Sequence, residues 1–498
     1  MTFLLTFHSQ GTCQDTRQLP DSTINDLPAE VLLEIFNLYR ESLYDYQWTE
    51  KYAWINLAHV CRKWRTVAFA YPSHLNLSIT VGPRKPNHIE TILSGPFQIL
   101  IDYKYINTDV DGNFTNNSPA LRRLHAALKH PDRVRGITFE GTRAGFDKLF
   151  EVTNCPFPVL ESLLLSPAHG YDMKLPDTFL RGPDSCDLRH LRRVKLYSYS
   201  LQPICRFLSS TAALTHLDLV INATNGTSQE PSLLTCLQGM PCLHSIILRI
   251  SHKIHNSLSH PSTSQAIVSL RKLTTFCYNG HRAFLNFLMA GFLAPSLRNV
   301  NIFITDQIWA PVAHLPRFMN AIEVHHHTAY LAFEGSKFSV SLVPGSGFPS
   351  ALRPRIELGL PPHPTDMIMQ LCGELPTKLA TINELYVIFD HMADLWEVYF
   401  PWERWRSLFQ QFSGVKTLRT RGLDSDYVAR TLLHQNHEEP DDVLTFLPVL
   451  EEIELDKFGL LTLKSKRTSP AVLQPFVSAR RRAGRPVRVL NVRPVVDE

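Results

Sequence analysis

LRRVKLY at 191–197 and LTHLDLV at 214–220 share one spacing of apolar residues. In each segment a leucine is followed three positions later by an apolar residue and five positions later by a second one. A single polar residue separates these two apolar residues. Such alternation is the period of a β-strand that buries one face. The same spacing occurs in LESLLLS at 160–166. We therefore predict a series of short, half-buried strands.

Strands of this kind recur along most of the chain. The apolar pairs that define them are Ile137/Phe139, Leu163/Leu165, Val194/Leu196, Leu217/Leu219, Ile246/Leu248, Phe276/Tyr278 and Val300/Ile302. Their first members are separated by 26, 31, 23, 29, 30 and 24 residues. Leucine-rich repeats have a period of about 20–29 residues, and each repeat contributes one strand to a stacked sheet. The pattern predicts an irregular leucine-rich-repeat-like α/β solenoid over residues 87–498.

The repeat is harder to follow after Ile302 but resumes at 385–387, 415–418 and 450–455. A last unit is predicted to contain a helix from Ser469 to about Arg482, closed by Gly484, and a strand at 487–489. An ordinary α/β domain with chance leucine spacing is the alternative, because the asparagine position of the repeat is weak.

The N-terminal region has a different period. INDLPAEVLLEIFNLYR at 24–40 predicts a helix that starts near Asp26, with Pro28 in the first helical position and Glu30 near the positive helix end. Its apolar residues form two adjacent rows, Val31/Ile35/Leu38 and Leu32/Phe36/Tyr39. This apolar arc is wider than a helix with one buried face needs.

A second amphipathic helix is predicted in 54–70, WINLAHVCRKWRTVAFA. Its apolar stripe consists of Leu57, Val60, Cys61, Trp64, Val67 and Ala68. Two short helices cannot bury this much apolar surface on each other, so the rest of the chain or another protein must cover part of it.

Two motifs in these helices resemble the F-box signature. They are Leu27-Pro28-x-Glu30-Val31-Leu32-x-x-Ile35-Phe36 and Val60-Cys61-Arg62-x-Trp64. The resemblance covers less than a tenth of the chain. The segment between Ile35 and Cys61 is longer than in the common pattern, which is similar to many fungal F-box-like proteins.

The resemblance implies that the helices bind a Skp-type adaptor, which joins them to the cullin scaffold of a ubiquitin ligase, while the repeat region binds an unknown protein substrate. It implies adaptor contacts at Leu27, Pro28, Val31, Leu32, Ile35, Phe36, Leu57, Val60, Cys61 and Trp64. The expected organisation is a tail at 1–20, an F-box-like helical domain at 21–80 and the repeat-like domain at 87–498. The alternatives are a helical cap on the next domain, a leucine-rich-repeat scaffold without ligase recruitment, and an unrecognised enzyme.

The amino-acid composition excludes some classes of partner and cellular compartment. The 50 basic and 46 acidic residues give a net charge of +4, so nucleic acid is not indicated. The nine cysteines are scattered without a C-x-x-C pair, which is typical of a reducing compartment. No signal peptide or membrane span is recognised. We expect a cytoplasmic or nuclear protein without membrane association.

No catalytic motif is present, because G-x-S-x-G, G-x-x-x-x-G-K-[ST] and H-E-x-x-H are all missing. We therefore expect no enzyme activity, no catalytic residue and no cofactor. The run His325-His326-His327 is interpreted as solvent-facing strand residues rather than metal ligands. Arg480, Arg481 and Arg482, with Arg485, are interpreted as charges that offset a helix dipole, and a nuclear-import or phosphate patch is the alternative.

Overall fold

A computed structural model of the chain is described here for part of its length. The described residues are 26–42, 57, 59–71, 78–82, 97–103, 119–167, 174–180, 188–221, 233–250, 267–305, 312–334, 337–344, 355–360, 369, 372–373, 375–389, 402–421, 432, 447–456 and 473–492. The predicted tail at 1–20, the start of the second helix at 54–56 and the helix start at Ser469 lie outside these ranges.

The chain divides into two compact units. The first runs to Asp102 and also includes Pro119–Arg135, and the second includes Gly136–Glu498. The first unit contains α1 (Ala29–Ser42), α2 (Arg62–Ala70), β1 (Ser78–Val81), β2 (Gln98–Tyr103) and α3 (Pro119–Leu128). The strands β1 and β2 are parallel, with Ser78 opposite Gln98. The predicted limits of 21–80 and 87–498 stay predictions.

The first helix starts one residue later than predicted. The N–H of Leu32 donates to the carbonyl of Pro28 at 3.1 Å, so Pro28 immediately precedes α1. The continuous second helix was wrong. Cys61 has an extended backbone, with φ −157° and ψ 173°, and its Sγ accepts the N–H of Trp64 at 3.4 Å. An extended capping residue starts a new helix, so residues before Cys61 do not continue the stripe of α2.

The second unit alternates strands with turns and helices. Its first strands are β3 (Val134–Gly141), β4 (Ser162–Pro167), β5 (Arg193–Tyr199), β6 (His216–Ile221), β7 (Ser245–Ile250), β8 (Val268–Ser269), β9 (Thr275–Gly280), β10 (Phe292–Leu293) and β11 (Asn299–Ile304). Its later strands are β12 (Thr328–Glu334), β13 (Lys337–Val343), β14 (Arg355–Leu360), β15 (Glu384–Phe389), β16 (Thr417–Arg421), β17 (Glu452–Asp456) and β18 (Arg488–Val492).

The helices of this unit follow the strands. They are α4 (Arg143–Val152), α5 (Leu201–Leu208), α6 (Leu233–Gln238), α7 (Arg282–Gly291), α8 (Leu315–Asn320), α9 (Pro376–Leu379), α10 (Trp402–Gln410) and α11 (Gln474–Arg482). None of the helices in the described ranges is long and apolar enough to cross a bilayer.

The predicted strand pairs coincide with the sheet register. From β3 to β11 the first members lie opposite one another in parallel ladders, in the order Ile137, Leu163, Val194, Leu217, Ile246, Phe276 and Val300. All of these side chains are buried, as are the second members of the pairs. A mixed α/β fold with a largely parallel sheet and a short helical N-terminal region is therefore present, as predicted.

A tight turn precedes most of these strands and explains the leading leucine. An N–H three residues before the strand core donates to a carbonyl three residues earlier, and both residues are buried. These bonds join Leu160 to Phe157, Leu191 to Leu188, Leu214 to Thr211, Leu243 to Met240, Leu273 to Leu270, Leu297 to Ala294, Ile382 to Leu379, Val415 to Phe412 and Leu450 to Leu447. The repeated spacing therefore describes a turn and a strand that share one buried face.

Helices cover one face of this sheet. The ring of Phe139 in β3 lies 4.8 Å from that of Phe146 in α4, and Phe276 in β9 lies 5.7 Å from Phe318 in α8. Further along, Phe333 in β12 lies 5.1 Å from Trp405 in α10. Aromatic packing between strands and helices thus extends along the second unit. The alternate strand residues point away from these helices.

The repeat is obscured after Ile302 because the sheet order reverses there. The strand β14 pairs in parallel with β11, β13 is antiparallel to both β14 and β12, and β12 pairs in parallel with β15. Three consecutive strands therefore occupy three positions in reverse order. Parallel pairing then continues from β15 through β16 and β17 to β18, and the predicted segments at 385–387, 415–418 and 450–455 lie in or lead into β15, β16 and β17.

The interpretation of His326 as solvent-facing was wrong. His325 and His327 are exposed, but His326 is fully buried just before β12, and neither of its ring nitrogens has a hydrogen-bond partner. Burial, followed by the charges of Lys378, His325 and His327, lowers the pKa of His326 to about 4. The ring is therefore neutral at physiological pH.

Arg480 lies in the last turn of α11, where its charge was expected to offset the helix dipole, and it also has a structural role. It is fully buried, and its Nη2 donates to the carbonyls of Leu450 at 3.0 Å and Pro448 at 3.3 Å. The Nη1 of Arg485 donates to the same Pro448 carbonyl at 2.6 Å. Arg481 and Arg482 are exposed. The run of three arginines is thus one structural residue and two surface charges.

The buried His326 predicts an acid-sensitive stability. Its folded pKa lies below the ordinary value of 6.5, so the unfolded state binds more protons between pH 6.5 and 4. Stability should fall as the pH drops through that window, by up to about 3 kcal/mol. His326→Leu should reduce the fall in melting temperature between pH 6.5 and 4.5, measured by circular dichroism. His190→Leu, at an exposed position before β5, is the control and should melt like the wild type at each pH.

Gly414 predicts a steric limit in the turn before β16. A Cβ there would lie 3.0 Å from the carbonyl oxygen of Ile382 and still closer to that of Ala380. Backbone cannot retreat as a flexible side chain can, so Gly414→Ala should destabilise the fold by about 1–3 kcal/mol. Gly373→Ala, with nothing within 4 Å of its Cβ, is the matched control. Equal denaturation midpoints for the two variants would contradict this account.

Candidate partner-binding surface

The two N-terminal helices are held together by an aromatic contact. The rings of Phe36 in α1 and Trp64 in α2 lie 4.9 Å apart at an interplanar angle of 59°. Around them the buried cluster consists of Leu32, Leu33, Phe36, Leu57, Trp64, Val67 and Ala68. Phe97, before β2, packs against this cluster and against Phe69, with ring centroids 5.7 Å apart. The first unit therefore has a core of its own.

The predicted adaptor contacts fall into three groups by burial. Leu32, Phe36, Leu57 and Trp64 are buried in the helical core, Leu27, Ile35 and Cys61 are half-buried, and Pro28, Val31 and Val60 are exposed. Buried side chains position the helices, whereas exposed ones can touch another protein directly. Four of the ten residues therefore support the helical core, three lie at its margin, and Pro28, Val31 and Val60 are accessible from outside.

The exposed apolar residues of α1 lie in one row. The side chain of Val31 is 42% exposed and that of Leu38 is 58% exposed, and the half-buried Ile35 lies between them. Residues seven apart share a helix face, so these three side chains form one stripe. Val60, immediately before the cap at Cys61, is 53% exposed. We call Val31, Ile35 and Leu38 the apolar stripe, and Val60 is a separate exposed apolar residue.

Leu38 was not among the predicted contacts, although its row was recognised. Two adjacent apolar rows of similar composition occur on α1, and periodicity alone does not tell which row faces the core. The ring contact between Phe36 and Trp64 decides this, since it turns the row of Leu32 and Phe36 inward and leaves the row of Val31 and Leu38 outside.

Polar contacts fix the start of α1 against α2. The ammonium group of Lys63 donates to the carbonyl of Leu27 at 2.8 Å. The segment that carries Leu27 and Pro28 is therefore tied to the second helix. The indole Nε1 of Trp64, in contrast, is buried without a hydrogen-bond partner. Its ring contributes by packing alone.

A second surface is the sheet face that points away from the helices of the second unit. The phenol of Tyr197 donates to Oδ2 of Asp218 at 3.2 Å, and Nη1 of Arg249 donates to Oδ1 at 2.9 Å. Burial and the Asp218 carboxylate raise the pKa of Tyr197, so the phenol keeps its proton. These three residues lie on neighbouring strands β5, β6 and β7.

The same face of the sheet carries another polar network on the later strands β12, β15, β16 and β17. Tyr330 and Tyr386 stack with ring centroids 4.4 Å apart, and the guanidinium of Arg419 lies 5.0 Å from the centre of the Tyr386 ring. Arg419 donates to the Tyr386 hydroxyl, and its Nε lies 2.9 Å from Oε2 of Glu454. Both tyrosines are buried, so this network stabilises the sheet rather than offering a binding surface.

The described residues contain no group of three histidine, cysteine or acidic side chains placed to hold a metal ion. Among the cysteines that the structure describes, all are free thiols.

Comparison with known protein families gives a match in the N-terminal region. Residues 24–71 match the family model described as F-box-like. This range contains α1, α2 and the apolar stripe. No curated protein matches the chain.

Trp64 should support the helical unit mainly by the volume of its ring. Trp64→Ala should destabilise this unit by about 3–5 kcal/mol, because it leaves a cavity beside Phe36. Trp64→Phe retains an aromatic ring and removes the unpaired indole N–H, so it should cost much less. Chemical denaturation of the full-length protein, followed by far-UV circular dichroism, measures the free energy of unfolding of both variants. Similar losses for the two variants would rule out ring packing as the main contribution.

Proposed function

We propose that the protein is a non-catalytic F-box substrate-recognition adaptor of a cullin-RING ubiquitin ligase of the SCF type. The observation that carries the proposal is the F-box-like match at 24–71 together with the exposed apolar stripe inside it. F-box domains generally bind Skp-type adaptors. Here the two helices would bind that adaptor, and through it the cullin scaffold.

The apolar stripe supports this assignment. Exposed valine and leucine side chains occur singly on any protein, but a continuous stripe on one helix resembles the grooved contacts that amphipathic helices make with partners. The core behind the stripe is fixed by Phe36 and Trp64. A supported apolar surface of this kind needs little rearrangement on binding.

We further propose that the second unit is an irregular leucine-rich-repeat-like solenoid that binds the protein substrate. Three features support this: the turn that recurs before each strand, the parallel pairing in register, and helices on one face of the sheet. The opposite face presents side chains of successive strands side by side, which suits it to binding an extended surface or segment. Ubiquitin would be transferred by other subunits, and the sites of action would be the cytoplasm or nucleus.

The alternative is a repeat scaffold that recruits no ligase. The two differ in whether the apolar stripe binds a Skp-type adaptor.

The apolar stripe should be required for binding the purified Skp-type adaptor. Val31→Asp combined with Leu38→Asp places two charges in an apolar contact, so affinity should fall by about thirtyfold or more in biolayer interferometry. Because both side chains are exposed, thermal melting of the protein should stay nearly unchanged.

The matched control is Val159→Asp combined with Val449→Asp. These valines are 37% and 38% exposed and lie in the second unit. This variant should bind the adaptor like the wild type. If the Val31/Leu38 variant binds the adaptor with wild-type affinity, or if the wild type does not bind it, the adaptor function is wrong and the scaffold function replaces it.

A further inference from the structure

Basic and acidic residues are unevenly distributed in the second unit. The described stretches 188–221, 233–250 and 267–305 contain ten arginine and lysine residues and a single acidic residue, Asp218. The segments between them, 222–232 and 251–266, add one acidic and one basic residue. The net charge of +4 for the whole chain hides this local excess.

Backbone hydrogen bonds align some of these charged residues along the edge of the sheet that is formed by the N-terminal ends of its strands. The carbonyl of Arg192 accepts the N–H of Thr215 at 2.8 Å, that of Thr215 accepts His244 at 2.8 Å, that of His244 accepts Thr274 at 2.9 Å, and that of Thr274 accepts Arg298 at 2.9 Å. These five residues form one rung immediately before β5, β6, β7, β9 and β11. Adjacent strands are about 4.8 Å apart, so the rung is about 19 Å long.

Further cations flank this rung. Arg193 and Lys195 are exposed on β5, where they alternate with the buried Val194 and Leu196. The exposed Lys272 precedes β9, and its Nζ lies 3.9 Å from Sγ of Cys242. We call Arg192, Arg193, Lys195, Lys272 and Arg298 the basic edge.

The basic edge has little neutralising charge in the described part of the chain. Asp218 is already bonded to Arg249 and Tyr197. Glu161 immediately precedes β4 and is the acidic residue at the β5 end of the rung. Its backbone carbonyl accepts the N–H groups of Arg192 and Arg193. None of the five cations forms a side-chain ion pair with another described residue.

His216 reports the sign of the local field. It is the first residue of β6, opposite Arg193 in the ladder. After burial, the charges that lower the pKa of His216 are those of Arg193, His244 and Lys195. All of these charges are positive, which agrees with an excess of cations at the edge.

We propose that the basic edge binds an acidic, extended segment of a protein partner, about six residues in length. A rung of about 19 Å matches six residues at about 3.3 Å each. The inference rests on the proposed function, for which it names the chemistry of the bound substrate segment. A protein segment is favoured over single-stranded nucleic acid because the rung has no phenylalanine, tyrosine or tryptophan on which bases could stack.

The test uses the full-length protein and a fluorescein-labelled twelve-residue peptide of alternating glutamate and serine. Fluorescence anisotropy in 50 mM salt should show binding to the wild type. The combined variant Arg192→Glu, Arg193→Glu, Lys272→Glu, Arg298→Glu should bind at least tenfold more weakly. The corresponding glutamine variant, which avoids repulsion between new carboxylates, should show a smaller loss in the same direction.

The matched control is Arg122→Glu, Lys129→Glu, Arg143→Glu, Arg481→Glu, which changes four exposed cations elsewhere by the same total charge. It should keep most of the peptide affinity. No binding by the wild type, or an equal loss in the control, would overturn the proposal. Tighter binding of a labelled twelve-nucleotide polyuridine than of the peptide would also overturn it and would make the edge a nucleic-acid surface.

Adaptor binding measured on the same proteins separates the two proposals. The charge-reversed edge variant should bind the Skp-type adaptor like the wild type. If the wild type binds the peptide but not the adaptor, the ligase function fails while the basic edge stands. If it binds the adaptor but not the peptide, the basic edge fails alone.

Discussion

The shared starting level of the parallel strands is the constraint on which the second unit depends. Most of the parallel strands begin where two successive N–H groups donate to one carbonyl at the start of the neighbouring strand, as Thr215 and His216 do to Arg192. This bond fixes the register, and the register brings the buried residues of neighbouring strands opposite one another. A slip by one residue would expose every core side chain of that strand. The turn before each strand, with its own buried residue, makes such a slip costly.

The same constraint explains how much of this fold is predictable. Buried pairs such as Leu217/Leu219 and Ile246/Leu248 share a spacing because they share a register, so the strands can be located from the sequence. Reversal of strand order between β12 and β14 is not predictable in this way, since antiparallel pairing changes the order but not the alternation within a strand. His326 escaped recognition for a related reason: three identical residues carry no information about which one faces inward.

In the helical unit, prediction from the sequence is limited because α1 carries two similar apolar rows. The residues of α1 predict a helix and two apolar rows, and the F-box-like motif predicts that a partner covers part of them. Which row is covered depends on the ring of Trp64, about thirty residues away in the chain, and on the break at Cys61 that sets the direction of α2. Tertiary contacts of this kind override the local pattern. Leu38 thus belongs to the exposed row, and Leu32 and Phe36 belong to the buried one.

The two proposed surfaces differ in the forces they would use, and this difference separates their roles. The apolar stripe would gain free energy from burial of valine and leucine side chains, which salt changes little. The basic edge would attract its partner through exposed charges, whose interaction is screened within about 10 Å at 0.1 M salt. Charged surfaces mainly increase association rates and discriminate between partners, whereas buried apolar contacts slow dissociation. The apolar stripe is therefore suited to a stable contact with a constant partner. The basic edge is suited to a selective, exchangeable contact with a substrate segment.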